Sequence, residues 1–293
     1  MRVLVTGAAG FIGRRLVQHL AKEHEVYELV RKPSLQPRSI LMDLSAGFDA
    51  SVLPRRIDGV VHLAQSEHYR EFPDRAKDIY AVNVESTLNL LEYARAAQAS
   101  RFVLASSGGI YGYGPDALVE SAVPHPPDFY LASKQLAEIL LFAYERFFTV
   151  IAVRPFFVYG EGQRPTMFIP RLVWNVLLGN PITMSPPDGL LVNPVHVSDA
   201  VSAFAATLTA DYSGPINVGG PDVISLGEII RTIGIQVGQE PVIEQLPAGP
   251  GNVIADLELM SRVLGPPRVR FSSGVAEVCR EAAARLASEG QSR

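Results

Sequence analysis

The stretch Thr6-Gly7-Ala8-Ala9-Gly10-Phe11-Ile12-Gly13 restricts the fold more than any other part of the chain. It joins an apolar run at 3–5 to an amphipathic stretch over 11–22, and its glycines fall as Gly-x2-Gly-x2-Gly. Three glycines between a strand and a helix allow a tight turn, a close backbone approach to an anion and close helix–strand packing. The helix N-terminus then faces the anion with unsatisfied amides. The pattern therefore predicts a dinucleotide pyrophosphate on Gly7, Gly10, Phe11, Ile12 and Gly13. The plain alternative is an ordinary glycine-rich turn between strand and helix.

The rest of the first half repeats the alternation. Apolar runs at 26–30, 59–63, 101–105 and 150–153 read as strands, and amphipathic stretches at 75–97 and 130–147 read as helices. Strands that are apolar nearly throughout and separated by helices indicate βαβ units, hence an α/β, Rossmann-type, doubly wound parallel sheet covered on both faces. The second half changes texture: prolines and glycines cluster at 165–189 and 247–251, with helical patterns at 169–178, 197–208, 226–235 and 274–286. The expected division is a dinucleotide-binding domain over 1–164, with a returning segment near 190–218. Residues 165–189 and 219–293 would form a smaller C-terminal substrate-binding lobe. Ligands in such folds bind at the carboxyl ends of the strands.

Composition narrows the function. A net charge of −4 leaves no basic field for nucleic acid. The single cysteine, Cys279, excludes an intrachain disulfide and a cysteine-cluster metal site. No apolar run approaches the roughly 20 residues of a membrane span, and the run at 3–5 is too short for a signal core. The expectation is a soluble cytoplasmic protein with a small-molecule partner, no metal, no membrane and no nucleic acid.

The end of the second strand reads Glu28-Leu29-Val30-Arg31-Lys32. An acidic residue there would bind the ribose 2′-hydroxyl of NAD. The slot instead holds Val30, with Arg31 and Lys32 beyond it, and an Arg fork can grip a 2′-phosphate. The residues therefore lean slightly to NADP over NAD; Glu28 is the acidic candidate if the strand ends earlier. Asp43 and Leu44, after the third strand, are placed to meet the adenine.

Tyr130-Leu131-Ala132-Ser133-Lys134 sets Tyr and Lys four apart on one helix face. With ten Tyr and only four Lys in the chain, chance would produce such a pair in about one sequence in seven. An ammonium beside a phenol favours the phenolate. Tyr130 could then exchange a proton with a substrate hydroxyl or carbonyl while a nicotinamide exchanges hydride. Lys134 could also hold the nicotinamide ribose. Ser106 and Ser107 end the strand at 101–105 and offer a hydroxyl to the reacting oxygen.

With these pieces in hand, the sequence resembles the extended short-chain dehydrogenase/reductases, the NAD(P)-dependent epimerase/dehydratase family. The matching pieces are TGAAGFIG (6–13), HLA (62–64), NVEST (83–87), SSGGIYG (106–112), YLASK (130–134), RPFFVYGEGQ (154–163), PVHVSDA (194–200) and INVGG (216–220). The resemblance implies a catalytic triad of Ser107, Tyr130 and Lys134, with Ser106 the runner-up hydroxyl. It implies that Leu63 and Ala64 line the cofactor path and Asn83 supports the active-site helix. Phe157 and Val158 would sit near the nicotinamide.

Departures bear on the substrate. Phe157 replaces the family's Asn, and Val192 or Asn193 stands where an Arg usually precedes the His-Val motif; both losses weaken recognition of a nucleotide diphosphate. Arg164, Arg171 and Arg262 remain as anion contacts, and Ser107, Gly108 and Tyr130 as substrate contacts. The dehydratases resembled here carry an Asp-Glu pair at Gly108 and Gly109, so sugar dehydration is disfavoured. His196 reads as structural, and His62 and His68 as loop histidines without ligand partners. The expected function is an epimerase or keto-reductase working by hydride transfer on a sugar-like, nucleotide-linked substrate. The alternatives are a reductase of a non-nucleotide ketone or aldehyde, and a silent cofactor-sensing protein. The resemblance also implies a homodimer through the helices near 78–97 and 133–147, although their apolar stripes would equally serve an intrachain core.

Overall fold

A computed structural model describes residues 1–34, 36–247, 249 and 251–290. Seven parallel strands form its central sheet: β1 (Arg2–Thr6), β2 (Glu25–Val30), β3 (Ser39–Leu41), β4 (Gly59–His62), β5 (Arg101–Ala105), β6 (Thr149–Pro155) and, later in the chain, β9 (Gly214–Val218). Their order is β3-β2-β1-β4-β5-β6-β9. The order reverses at β1, the strand that enters the glycine turn. Such a reversal opens a crevice at the carboxyl edge.

Alternation along each strand supplies two faces. Val3, Val5, Val61, Val103, Ile151 and Val153 meet α1 (Gly13–Leu20) and α6 (Val197–Ala206) on one face. Leu4, Val60, Phe102, Leu104, Val150 and Ala152 meet α3 (Ser86–Ala96) and α4 (Phe129–Phe142) on the other. Burial on both sides is why these strands read as unbroken apolar runs.

The stretch 75–97 is not one regular helix. It runs as α2 (Ala76–Tyr80), a π-helical turn (Ala81–Glu85) and α3. The predicted helix at 130–147 ends at Phe142, because the chain must turn to return buried Phe148 and Val150 to the sheet. The fourth strand ends at His62, so His62 is no loop residue: it is buried at the tip of β4.

A separate apolar core joins α5 (Phe168–Leu178), α7 (Leu226–Val237) and α9 (Phe271–Gly290). Two strand pairs flank it: β7 (Ile182–Met184) with β11 (Ile243–Gln245), and β8 (Leu191–Val192) with β10 (Ile224–Ser225). The last helix before α9 is α8 (Glu258–Val263), which packs against β9. Cys279 lies in this core, where burial pushes its thiol up to about 11. Among the described residues no helix is long and apolar enough to cross a membrane.

Candidate active site

The glycine turn is shaped to admit an anion. Gly7 has φ +65°, and a Cβ there would stand 2.7 Å from the Ala64 amide nitrogen. A Cβ on Gly13 would lie 2.1 Å from the Gly7 carbonyl oxygen, and one on Gly10 would lie 3.0 Å from it. Only bare backbone fits between β1, α1 and the exit of β4. The turn closes through the Gly10 amide, which donates to the Gly7 carbonyl at 2.9 Å. The Arg14 amide bonds the Gly10 carbonyl at 3.1 Å and the Arg15 and Leu16 amides bond the Ile12 carbonyl, so it is the amides before them, at Phe11, Ile12 and Gly13, that suit a pyrophosphate. These residues fit the dinucleotide predicted for them.

A one-way hydrogen-bond chain braces the same edge. The Ala64 amide donates to Thr6 Oγ1 at 3.2 Å, and Thr6 Oγ1 lies 2.6 Å from His62 Nδ1. His62 Nε2 lies 3.1 Å from Thr87 Oγ1, whose hydroxyl donates to the Asn83 carbonyl at 2.8 Å. Since Thr87 spends its proton on Asn83, it accepts from Nε2–H, and Nδ1 accepts from Thr6. This chain suits only neutral imidazole. Burial, with the nearby Lys134 charge, pushes His62 down to about 3.

Asn83 sits on the π-helical turn and ties two parts of the site together. Its Oδ1 accepts from the Ser66 amide at 2.9 Å, and its Nδ2 donates to Ser133 Oγ at 2.8 Å. The extra residue of a π turn turns Asn83 out of the regular helical register, as such turns often do at functional sites.

Tyr130 and Lys134 lie on the first turns of α4, whose N-cap is Asp128: its side chain accepts from the Leu131 amide at 2.8 Å. Lys134 Nζ is buried, donates to the Ala105 carbonyl at 2.9 Å and stands 5.8 Å from the centre of the Tyr130 ring. Burial lowers its ammonium to about 8. The Tyr130 hydroxyl donates to Gln65 Oε1 at 2.9 Å, and burial raises the phenol above its ordinary range. Two residues beyond Ala105, the half-buried Ser107 caps the short 3₁₀ turn Gly108–Tyr111 and accepts from the Gly109 amide at 3.1 Å. Ser106 is buried, and its hydroxyl has no hydrogen-bond partner among the described residues. Gly108 is obligatory, since a Cβ there would lie 2.3 Å from the Phe156 ring.

A buried bidentate pair fixes α4 against β6. Arg154 donates to Glu138 at 2.9 and 2.6 Å and to the Tyr111 hydroxyl at 2.5 Å, and Tyr111 donates to Asn217 on β9 at 2.9 Å. The helix carrying Tyr130 and Lys134, the turn after Ser107 and two strands are thereby held in one network.

Other predicted residues fall differently. Phe157 has φ +46° and its ring packs, tilted, with its centre 5.1 Å from that of Phe168; Val158 packs on the sheet core. Leu63 and Ala64 follow β4, half-buried. Leu44 turns its side chain into the core, while exposed Asp43 caps its own turn by accepting from Ser45, which lowers its carboxyl. Val192 is buried in β8, and Asn193 bonds both the Ala255 amide and carbonyl, so neither offers a substrate contact. His196 is the N-cap of α6. Arg171 is exposed on α5. Arg262 is exposed on α8, 3.9 Å from Glu258.

Arg31 does not stand free at the end of β2. It donates both fork nitrogens to Glu67, at 3.0 and 3.0 Å, and Arg164 approaches the same carboxylate at 3.8 Å. Lys32 is exposed beside it. The lean to NADP drawn from a free Arg31 finds no support in this pairing. Gln65 and Glu67 escaped the sequence reading; their only signal was position, just past the carboxyl end of a strand beside the glycine turn.

Comparison with known proteins points the same way. The profile of the NAD dependent epimerase/dehydratase family matches residues 3–219. An uncharacterised UDP-glucose epimerase of Bacillus subtilis is 27% identical over 290 residues, covering 90% of this chain and 92% of that protein. The solved structure of MoeE5 with UDP-glucose and NAD is 32% identical, with a TM-score of 0.83 over 98% of this chain and all of that one. The UDP-glucuronic acid 4-epimerase of Bacillus cereus, solved with UDP-glucuronic acid and NAD, is 26% identical, with a TM-score of 0.86 over 97% of this chain and all of that one. A chain matched over most of its length by this profile, with a Rossmann-type sheet, is an NAD(P)-dependent enzyme of the short-chain dehydrogenase/reductase type, and it belongs to the NAD dependent epimerase/dehydratase family.

Proposed function

We propose that the chain is an NAD-linked epimerase acting at a hydroxyl-bearing carbon of a nucleotide-linked sugar. The observation that carries the reading is the placement of Tyr130, Lys134 and Ser107 around the Ala105 strand end, beside the glycine turn. Relatives of known ligand content bind UDP-sugars with NAD, which supports the substrate class.

Bound NAD would supply the hydride acceptor and donor, held by the glycine turn, Asp43, Leu63, Ala64 and Lys134. The chain's own residues do the rest. Tyr130 takes the substrate's hydroxyl proton and returns it. Its hydroxyl keeps its proton in the unliganded site, because burial raises the phenol and Gln65 accepts from it. Lys134, a buried ammonium lowered to about 8, is the positive charge that would favour the phenolate when substrate displaces Gln65. Ser107 donates to the reacting oxygen. With glycine at 108 and 109, no acid–base pair is present there to expel water, which argues against dehydration.

A reductase that exchanges NADPH was the main rival, and its support was the basic Arg31-Lys32 end of β2. The Arg31–Glu67 pairing takes Arg31 out of that support and leaves exposed Lys32. The substrate lobe would be 165–189 with 219–293, facing the cleft. We also propose a homodimer in the cytoplasm, built on α3 and α4: Tyr80, Leu88, Leu136 and Ile139 are exposed and line one groove with Val84 and Leu140. An exposed apolar groove of this kind is costly in a monomer.

Native mass spectrometry of the purified protein tests the reading. Co-purified NAD at near one per chain, and turnover of a UDP-sugar panel without added cofactor, support the epimerase. A protein that carries no dinucleotide and turns over only with NADPH would replace it by the reductase.

A further inference from the structure

The acidic residue that reads the ribose in this fold type usually ends β2, and here that position is Val30. The structure brings a carboxylate to the same place from elsewhere. Glu67 lies in the segment after β4, five residues beyond His62, yet grips Arg31 just past the end of β2. Strands β2 and β4 flank β1 in the sheet. The ion pair therefore arches over the carboxyl end of β1, where the chain enters the glycine turn. A dinucleotide on that turn must pass this pair.

We propose that Glu67 is the residue that makes the site select NAD over NADP, by occupying Arg31 and by presenting its carboxylate to the adenosine ribose. The proposal rests on the glycine turn being the dinucleotide site. A carboxylate has about four acceptor positions, and Arg31 uses two, one on each oxygen. Arg164 at 3.8 Å and His68 at 3.9 Å approach the carboxylate without reaching hydrogen-bond distance, which leaves the other positions for ribose hydroxyls. For NADP the same arrangement is adverse. The Arg31 fork, the group suited to a 2′-phosphate, is already satisfied. Asp43 and Asp78 also act on Arg31, so the phosphate would enter a region with three carboxylates. Against them stand Arg31 itself, Arg164 at 3.8 Å from Glu67, and exposed Lys32. The acid has moved from β2 to the β4 segment, and the Arg whose position suggests NADP is its tether.

Calorimetric titration of the full chain, freed of bound nucleotide, with NAD and with NADP tests this. Wild type is expected to bind NAD at least tenfold more tightly than NADP. Glu67→Gln, which keeps the shape and removes the charge, should narrow that ratio at least tenfold, chiefly by tightening NADP. Adding Arg31→Ala to Glu67→Gln should weaken NADP again by a similar factor. An unchanged ratio in Glu67→Gln, with NAD still bound, overturns the role of Glu67 and leaves the NAD site standing. Wild type that prefers NADP, or binds neither nucleotide, overturns the cofactor reading and this proposal together.

Discussion

His62 makes the buried edge of the cleft sensitive to pH in a way that can be isolated. Its two ring nitrogens lie in a chain with one direction: Thr6 donates to Nδ1, and Nε2–H donates to Thr87. A second proton would turn Nδ1 into a donor and take from the Thr6 hydroxyl proton its acceptor. Burial and the Lys134 charge therefore hold the folded pKa near 3, against about 6.5 in an unfolded chain. The folded value is the lower one, so below pH 6.5 the unfolded chain binds a proton that the folded chain refuses. Stability is unaffected above that pH and falls as pH drops from 6.5 toward 3. At about 1.36 kcal/mol per unit, lowering the pH from about 7.5 to about 5 costs roughly 2 kcal/mol through His62 alone. The assay is urea unfolding at both pH values for wild type and for His62→Gln, which can accept and donate similarly but does not titrate. His196, whose buried ring is also held below its usual range, adds a slope of the same sign to both proteins and cancels in the comparison. Wild type should lose about 2 kcal/mol more than the variant. Equal losses would refute the neutral, one-way chain.

Other parts of the site give sharp expectations. Gly13→Ala puts a Cβ 2.1 Å from the Gly7 carbonyl and should weaken NAD binding more than tenfold by calorimetry with little change in circular dichroism; unchanged affinity would show that the turn does not hold the cofactor. Arg154→Met strands the buried Glu138 carboxylate and should cost about 3–5 kcal/mol in chemical denaturation, with much of it recovered by adding Glu138→Leu. A loss under about 1 kcal/mol would mean that the network around α4 is dispensable. Ile139→Glu with Leu136→Glu should convert a dimer to monomer in sedimentation; wild type that sediments as a monomer removes the dimer.

The sheet was legible because its strands are buried on both faces. Val3-Leu4-Val5 and the run at 101–105 read as strands from apolarity alone. The π-helical turn at 81–85 was not, because a bulge in a helix leaves the apolar spacing almost intact. The end of α4 was misjudged for a related reason: apolar residues continue through Phe147 and Phe148 while the backbone already turns toward β6. Local motifs marked Tyr130, Lys134 and the glycine turn, since their chemistry depends on short spacings. Arg31 was misread because its partner, Glu67, lies 36 residues away and meets it only across β1. A residue's charge can be read from the chain, but whether that charge is already paired depends on tertiary contacts.

The most direct test tracks cofactor stoichiometry during turnover. The protein with one equivalent of NAD is given an excess of UDP-glucose or UDP-glucuronic acid, with products monitored by NMR and reduced nicotinamide by its near-ultraviolet absorbance. Interconversion of sugar epimers over many turnovers with no net NADH, abolished in Tyr130→Phe while NAD affinity stays within about threefold, is the predicted result. Reduced cofactor consumed or formed one-for-one with product, or a Tyr130→Phe variant that keeps its rate, would contradict it.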